Sequence, residues 1–266
     1  LFAGEQSPAP GRVYSAAPAL ARPTGGDIDQ TLANRLLAAL PHVERRSLLA
    51  HCEIVELTAP MPLQQGQGRL RHAYFPVDST ISVLAPGETR GGLEVGAVGC
   101  EGLFGPESVT KVESFELTGL IQGSGHAWRV DAAALQHLAA SHEALQGLLT
   151  NYLHVVLVQT ARSVACCRFH SLEQRLARWL LSHSDRSWSN DLPVTHDQLA
   201  LRLGARRSGV TVAAGRLEQH GLIGGGRGHI VLKDRERLKA VACSCYRLDR
   251  RTYEQGMGVP PSPRRY

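Results

Sequence analysis

No apolar run in the chain approaches the ~20 residues that a membrane-spanning helix needs. No charged-then-apolar signal segment opens it either, so a cytoplasmic protein is expected. Paired CxxC spacings are missing as well. The six cysteines, Cys52, Cys100, Cys166, Cys167, Cys243 and Cys245, follow no disulfide-scaffold pattern and read as reduced thiols. Cys166-Cys167 and Cys243-Ser244-Cys245 are the groups closest to an oxidant sensor, but nothing in the sequence lowers a thiol pKa there. No Ser-His-Asp set, GxSxG or HExxH is present. The 12 histidines are scattered; His137 and His142 lie five apart and His126 stands alone, so no metal pair is expected. Neither a catalytic residue nor a cofactor is assigned. A glycine-rich stretch exists, but without the Gly-Lys-Ser/Thr ending of a phosphate loop.

What is present divides the chain. Residues 1–165 carry 11 Lys and Arg against 15 Asp and Glu; residues 166–266 carry 18 against 9. An acidic first part joined to a basic second part points to a polyanion-binding domain attached to something else. The start, rich in Ala, Pro and Gly over residues 1–27, reads as a disordered leader. Leu32, Leu36, Leu37, Leu40, Leu48 and Leu49 give helical spacing, interrupted by Pro41. From Glu53 to about Val130 the texture is β-rich, with EIVEL, HAYFPV, TISVLA, LEVGAVG, SFELTGLI and GHAWRV separated by Gly and Pro. Many short strands with regular turns predict a sandwich, barrel or roll. Residues 28–130 are therefore expected to form one β-rich domain with helices at its start. Trp128, Trp179 and Trp188 read as packing residues.

Asp131 is a fitting N-cap for one long helix over residues 131–165. Leu145, Leu149, Tyr152, Val156, Gln159, Ser163 and Cys166 recur in steps of four and three, as in a coiled-coil seam. Two readings are open: a dimer seam, or burial against the helix's own domain, for which Leu148, Val155 and Arg162 form a second stripe. The dimer seam, with Leu145, Leu149, Tyr152, Val156 and Gln159, is expected, because a long helix between unlike domains has few other covers for a second apolar face.

HDQLALRLGARRSGVTVAAGRLEQHGLI carries the clearest chemistry. Thr195 caps a first helix with Gln198 in capping-box position. Leu199, Ala200 and Leu203 face inward, and Gly204 ends that helix. A second helix starts at Arg206 or Arg207, with Val210, Ala214 and Leu217 inward. Two short helices around a glycine turn form a helix-turn-helix. Its second helix enters the major groove with its N-terminus leading. Arginine suits guanine edges and phosphates because its planar fork donates two parallel bonds. The hairpin LIGGGRGHIVLKD follows, with Arg227 at its tip. The DNA-binding candidates are Thr195, Arg206, Arg207, Ser208, Gly209, Thr211 and Arg227.

From these segments the chain, over about residues 28–247, resembles the Crp/Fnr family of transcription regulators. LPVTHDQLALRLGARRSGVTVAAGRLEQHGLIGGGRGHIVLKDRERL carries the likeness most strongly. YFPVDSTISVL, LEVGAVGCEGLFG and the terminal ACSCYRL resemble an atypical branch. The resemblance implies an α+β fold: an N-terminal cyclic-nucleotide-binding-like, or cupin-like, β-roll, a long dimerisation helix, and a C-terminal winged helix-turn-helix over residues 166–247, followed by a tail over 248–266. It also implies a homodimer on double-stranded DNA, RNA polymerase as a partner, and an unknown small-molecule effector. In cyclic-nucleotide-binding members an Arg after a Gly-Glu-rich turn neutralises the cyclic phosphate. Here Glu101-Gly102 is followed only by Lys111, Ser114 and Glu116, which speaks against cyclic AMP or cyclic GMP. Glu94 and Glu101 are the ligand-pocket candidates. The alternative function is a sensing or protein-interaction module that does not read specific DNA.

Overall fold

The computed structural model describes residues 33–63, 71–86, 92–105, 110 and 116–258. The leader over 1–27, Lys111, Ser114 and the end of the expected tail, 259–266, lie outside them. Two short helices come first, α1 (Arg35–Ala39) and α2 (His42–Leu49). Asn34 caps α1 by accepting from the N–H groups of Leu36 and Leu37. Its amide also donates to the carbonyls of Pro76 and Gly102, at 2.8 and 2.9 Å, and so ties the helix to the sheets. Pro41 stands at the entrance of α2, where a missing N–H is no loss.

The β-rich segments become strands β1 (Cys52–Leu57), β2 (Met61–Pro62), β3 (His72–Pro76), β4 (Thr80–Ala85), β5 (Leu93–Val98), β6 (Thr118–Gly123) and β7 (Gly125–Asp131). They pair antiparallel in two sheets, ordered β1-β7-β3 and β2-β6-β4-β5. Side chains alternate between faces along a strand. In β3, Tyr74 joins Ile81, Phe104 and Ile121 in a cluster drawn from both sheets. Its neighbours Ala73 and Phe75 turn the other way, to Trp128, Leu36, Leu37 and the helices. The roll is therefore filled on one side and roofed by helices on the other.

Asp131 does cap a helix, accepting from the N–H groups of Ala133 and Ala134. The single helix expected from it is two: α3 (Ala132–Ser141) and α4 (Glu143–Phe169). His142 between them is extended. The new helix start finds a partner elsewhere, as Leu145 N–H donates to the Glu44 carboxylate at 2.8 Å. The helix then runs past 165, to Phe169.

The expected dimer seam requires correction. Leu145, Leu149 and Tyr152 are at most 2% exposed within this one chain, in the same core as Phe75 and Trp128. Val156 packs partly buried against that core, and Gln159 donates to the carbonyl of Asp249. The cover is a helix at the far end of the chain, α9 (Ser244–Met257), which adds Tyr253 and Met257 to this core. Asp249 of α9 also pairs with Arg162 of α4 at 2.5 Å. Residues 248–257, expected to belong to a tail, are thus helix and part of the roof. The face of α4 left open carries Leu157 and Val164, 67% and 71% exposed.

The remaining elements build the winged domain: α5 (Leu172–Ser187), β8 (Asp191–Leu192), α6 (His196–Arg202), α7 (Arg207–Gln219), β9 (Ile223–Gly226), β10 (His229–Leu232) and α8 (Arg235–Val241). Ser171 and Gln174 form a capping box on α5. Leu176, Leu180, Leu199, Val210, Leu217, Leu222, Ile230 and Leu238 form one core. Each such fully buried side chain contributes about 2 kcal/mol by leaving water.

Candidate nucleic-acid interface

Local chemistry sets the helix-turn-helix. The Thr195 hydroxyl accepts from Gln198 N–H at 3.2 Å, and Gln198 Oε1 accepts from Thr195 N–H at 2.8 Å. This reciprocal cap starts α6. Gly204 ends the turn with φ of +56°, a conformation that glycine reaches without strain. Arg206 then holds the extended N-cap position of α7, and Arg207 is its first residue. Val210, Ala213, Ala214 and Leu217 are buried, as their period requires.

The opposite face of α7 is open. Arg206, Arg207, Ser208, Thr211, Val212, Gly215 and Arg216 are all exposed. Arg207 Nε rests 3.2 Å from the Asp197 carboxylate, with both side chains about two-thirds exposed. Such a pair is weak in water and exchanges readily for another anion. Thr211 Oγ1 lies 3.2 Å from His196 Nδ1. Val212, 56% exposed, was not singled out by sequence reasoning, although it sits one turn after Ser208. An exposed Val there offers an apolar contact of the kind that meets a thymine methyl group.

Gly209 packs against the neighbouring helix: a Cβ on it would stand 3.1 Å from Leu172 Cδ2 of α5, so its smallness lets α7 approach α5. Gly215 is the glycine with open space, as a Cβ there would meet nothing within 4 Å. Arg227 is exposed in the two-residue turn between β9 and β10. Gly228 beside it has φ of +90°, so this tight turn favours glycine.

Behind this surface the winged domain is fastened to the roll by buried charges. Glu94 of β5 accepts from Ser82 Oγ at 2.7 Å, from Trp179 Nε1 at 2.8 Å and from Arg202 Nη1 at 3.1 Å. Arg202 also donates to Ser82 Oγ at 2.8 Å. Arg202 lies on α6 and Trp179 on α5, so one carboxylate of the roll holds two helices of the other domain. Burial pushes the Glu94 carboxyl up and the Arg202 guanidinium down, and each partner opposes the shift of the other. Glu101 accepts from Arg186 Nε at 2.8 Å and from Gly99 N–H at 3.1 Å. Both pocket candidates are therefore already engaged by arginines of α5 and α6.

A cavity of about 380 Å³ lies beside these pairs, lined among others by Val83, Tyr152, Arg178, Trp179 and Tyr253. His183 stacks on Trp179, 3.6 Å between ring centres. Burial, then the charges of Arg186 and Arg202, hold His183 neutral. Sequence reasoning missed Arg202, although a signal existed. It lies three residues after Leu199, on the inward face of α6, where a cation requires a buried partner.

Among the described residues, no helix is long and apolar enough to cross a membrane. Residues 174–241 match the model of the Crp-like helix-turn-helix domain. No curated protein sequence matches the chain. Solved structures do. FixK2 from Bradyrhizobium japonicum superposes with a TM-score of 0.60 at 16% identity, over 72% of this chain and 98% of its own. A Crp/Fnr family transcriptional regulator from Thermus thermophilus gives 0.58 at 24% identity, over 71% and 98%. A Crp/Fnr family protein from Eubacterium rectale gives 0.59 at 15% identity, over 79% and 98%. Residues 174–241 thus form a Crp-like helix-turn-helix domain, and the fold that surrounds it is similar to that of solved Crp/Fnr family regulators.

Proposed function

We propose that this regulator is a homodimer that reads a near-palindromic operator with α7, under the control of a signal received by the roll. The observation that carries the reading is the open face of α7. Two arginines lead it, small and short side chains follow, and everything apolar except Val212 is turned inward. Arg206 and Arg207 supply the fork-shaped donors, Ser208 and Thr211 the short polar contacts, and Gly215 the clearance. Arg227 on the wing and Thr195 at the start of α6 flank this face, positioned for the phosphate backbone. Two copies must present their helices ~34 Å apart to reach successive major grooves. The exposed stripe of α4, Leu157 and Val164, is the surface proposed to join them, in place of the buried seam.

The cavity beside Glu94 and Glu101 is the proposed effector site. Its size falls in the range of small-molecule pockets. A phosphate there would compete with carboxylates already paired to Arg186 and Arg202, which favours an effector other than a cyclic nucleotide. The protein would act where the genome is, in the cytoplasm, with RNA polymerase as the partner that reads out its position.

Fluorescence anisotropy with operators selected from a random duplex pool tests this reading. The native chain should bind with an affinity that falls steeply with salt, as phosphate contacts release counterions. Arg206→Ala/Arg207→Ala should weaken the selected sequence ~30-fold or more, about 2 kcal/mol. Equal binding by the double variant, or binding indifferent to salt, would sink the operator role.

A further inference from the structure

Four side chains of metal-ligating type converge where the end of α4 meets the start of α9. Cys166, His170, Cys243 and Cys245 each bring a donor atom to within 4.8 Å of all the others. Cys166 Sγ lies 3.5 Å from Cys243 Sγ, and Cys245 Sγ lies 3.7 Å from His170 Nδ1. The three thiols are buried in a small cluster of their own, apart from the larger apolar cores. Two helix ends build the set. Cys166 lies in the last turn of α4 and His170 caps that helix. Cys243 holds the N-cap of α9 without a capping hydrogen bond, and Cys245 follows two residues later. No local spacing shows this group, because its halves stand more than 70 residues apart.

The donor set and its size select the ligand. A tetrahedron with sulfur arms of ~2.3 Å has edges of roughly 3.8 Å, close to the separations found here. Three sulfurs and one imidazole suit a borderline-soft ion and not magnesium or calcium. Four protein donors leave no open position, which marks a structural site and not a catalytic one. An iron–sulfur cluster would need the same ligands spread around a body of several atoms. Three thiolates on a dication leave one negative charge. Arg178 lies close enough to Cys166 to hydrogen-bond it and oppose that charge.

We propose that Cys166, His170, Cys243 and Cys245 bind one zinc ion, which clamps both ends of the winged domain to the end of the long helix. The chain enters that domain just after His170 and leaves it just before Cys243. One ion joining those two points fixes how the domain is hung. The thiols lose their protons to solvent as the ion binds, so occupancy drops as the pH is lowered. The site stands whether or not α7 reads DNA; only its effect on operator binding rests on that reading.

The test titrates the reduced, metal-free full chain with CoCl2 without oxygen, then with ZnCl2. One cobalt per chain is expected, with near-ultraviolet sulfur-to-cobalt bands and the visible bands of a tetrahedral site, both erased by zinc. Cys243→Ser and His170→Ala should each weaken binding ~100-fold or more. Cys167→Ser, at the exposed neighbour outside the set, should bind as the native chain does. Circular dichroism checks that each variant is folded. If Cys243→Ser is not, the partly exposed His170 gives the same reading. Absent sulfur-to-cobalt bands in the native chain, or unchanged bands in folded His170→Ala, would overturn the proposal. So would iron with acid-labile sulfide, or a Cys166–Cys243 disulfide without metal. Loss of operator binding in a fully metallated chain would count against the α7 reading alone.

Discussion

Glu94 and Arg202 face each other with 6% and 4% of their side chains exposed. Desolvation of two such charges is expensive, and a matched apolar pair is often as stable. What the ion pair adds is position, since Ser82, Trp179 and Arg202 all point at one carboxylate. Removing one partner strands the other charge. Arg202→Met is therefore expected to destabilise the chain by about 3–5 kcal/mol in urea unfolding. Glu94→Gln/Arg202→Met should recover a large part of that loss; strictly additive single effects would show that the two do not act as a pair. His183, held neutral beside them, ties stability to pH. Its native pKa is depressed, so above ~6.5 it is neutral in both states and has no effect. As pH falls below ~6.5 the unfolded chain takes up a proton that the native chain refuses, and stability drops by up to about 1.4 kcal/mol per pH unit. His183→Gln should flatten the difference in stability between pH 6.5 and 5; an unchanged slope would remove His183 as its source. The inward position of Arg202 is readable from its step after Leu199. Glu94 as its partner is not, because 108 residues separate them.

Helix α4 carries apolar residues on more than one side, and each side needs a cover. Its periodicity shows that such stripes exist but not which neighbour each one meets. Leu145, Leu149 and Tyr152 are met by the roll and by α9, an element that begins only at Ser244, after the whole winged domain. Leu157 and Val164 lie seven residues apart, the spacing at which a partner helix returns to the same side. If the proposed dimer forms through this stripe, Leu157→Asp/Val164→Asp should leave a monomer in sedimentation, with the helical content retained. A variant that sediments as the native chain does would place the dimer contact elsewhere. The strands were readable in greater detail, because Pro and Gly separate their β-rich runs; β3, buried along nearly its whole length, pairs with β7. In α7, the inward period of Val210, Ala214 and Leu217 was enough to place the open face. The packing of Gly209 was not legible by the same reasoning, since a glycine's use depends on what stands opposite, here Leu172 of α5.

The molecule as a whole has an acidic roll, a roof of helices on one side of it, and a basic winged domain that bonds directly to the roll. Its order along the chain is readable from changes in texture near Glu53 and Asp131 and from the shift in charge after residue 165. What ties the parts together is not, because Glu94–Arg202, Glu101–Arg186 and the Cys–His group each join residues far apart in sequence. The same long-range joining has an architectural consequence. Since α9 returns to α4 beside the point where the chain left it, the winged domain is a loop-out from an otherwise continuous body of roll, α4 and α9. In engineering terms it is a cassette with neighbouring ends. A short linker from His170 to Cys243 would span its removal, provided Glu94 and Glu101, whose arginine partners leave with the domain, are replaced as well.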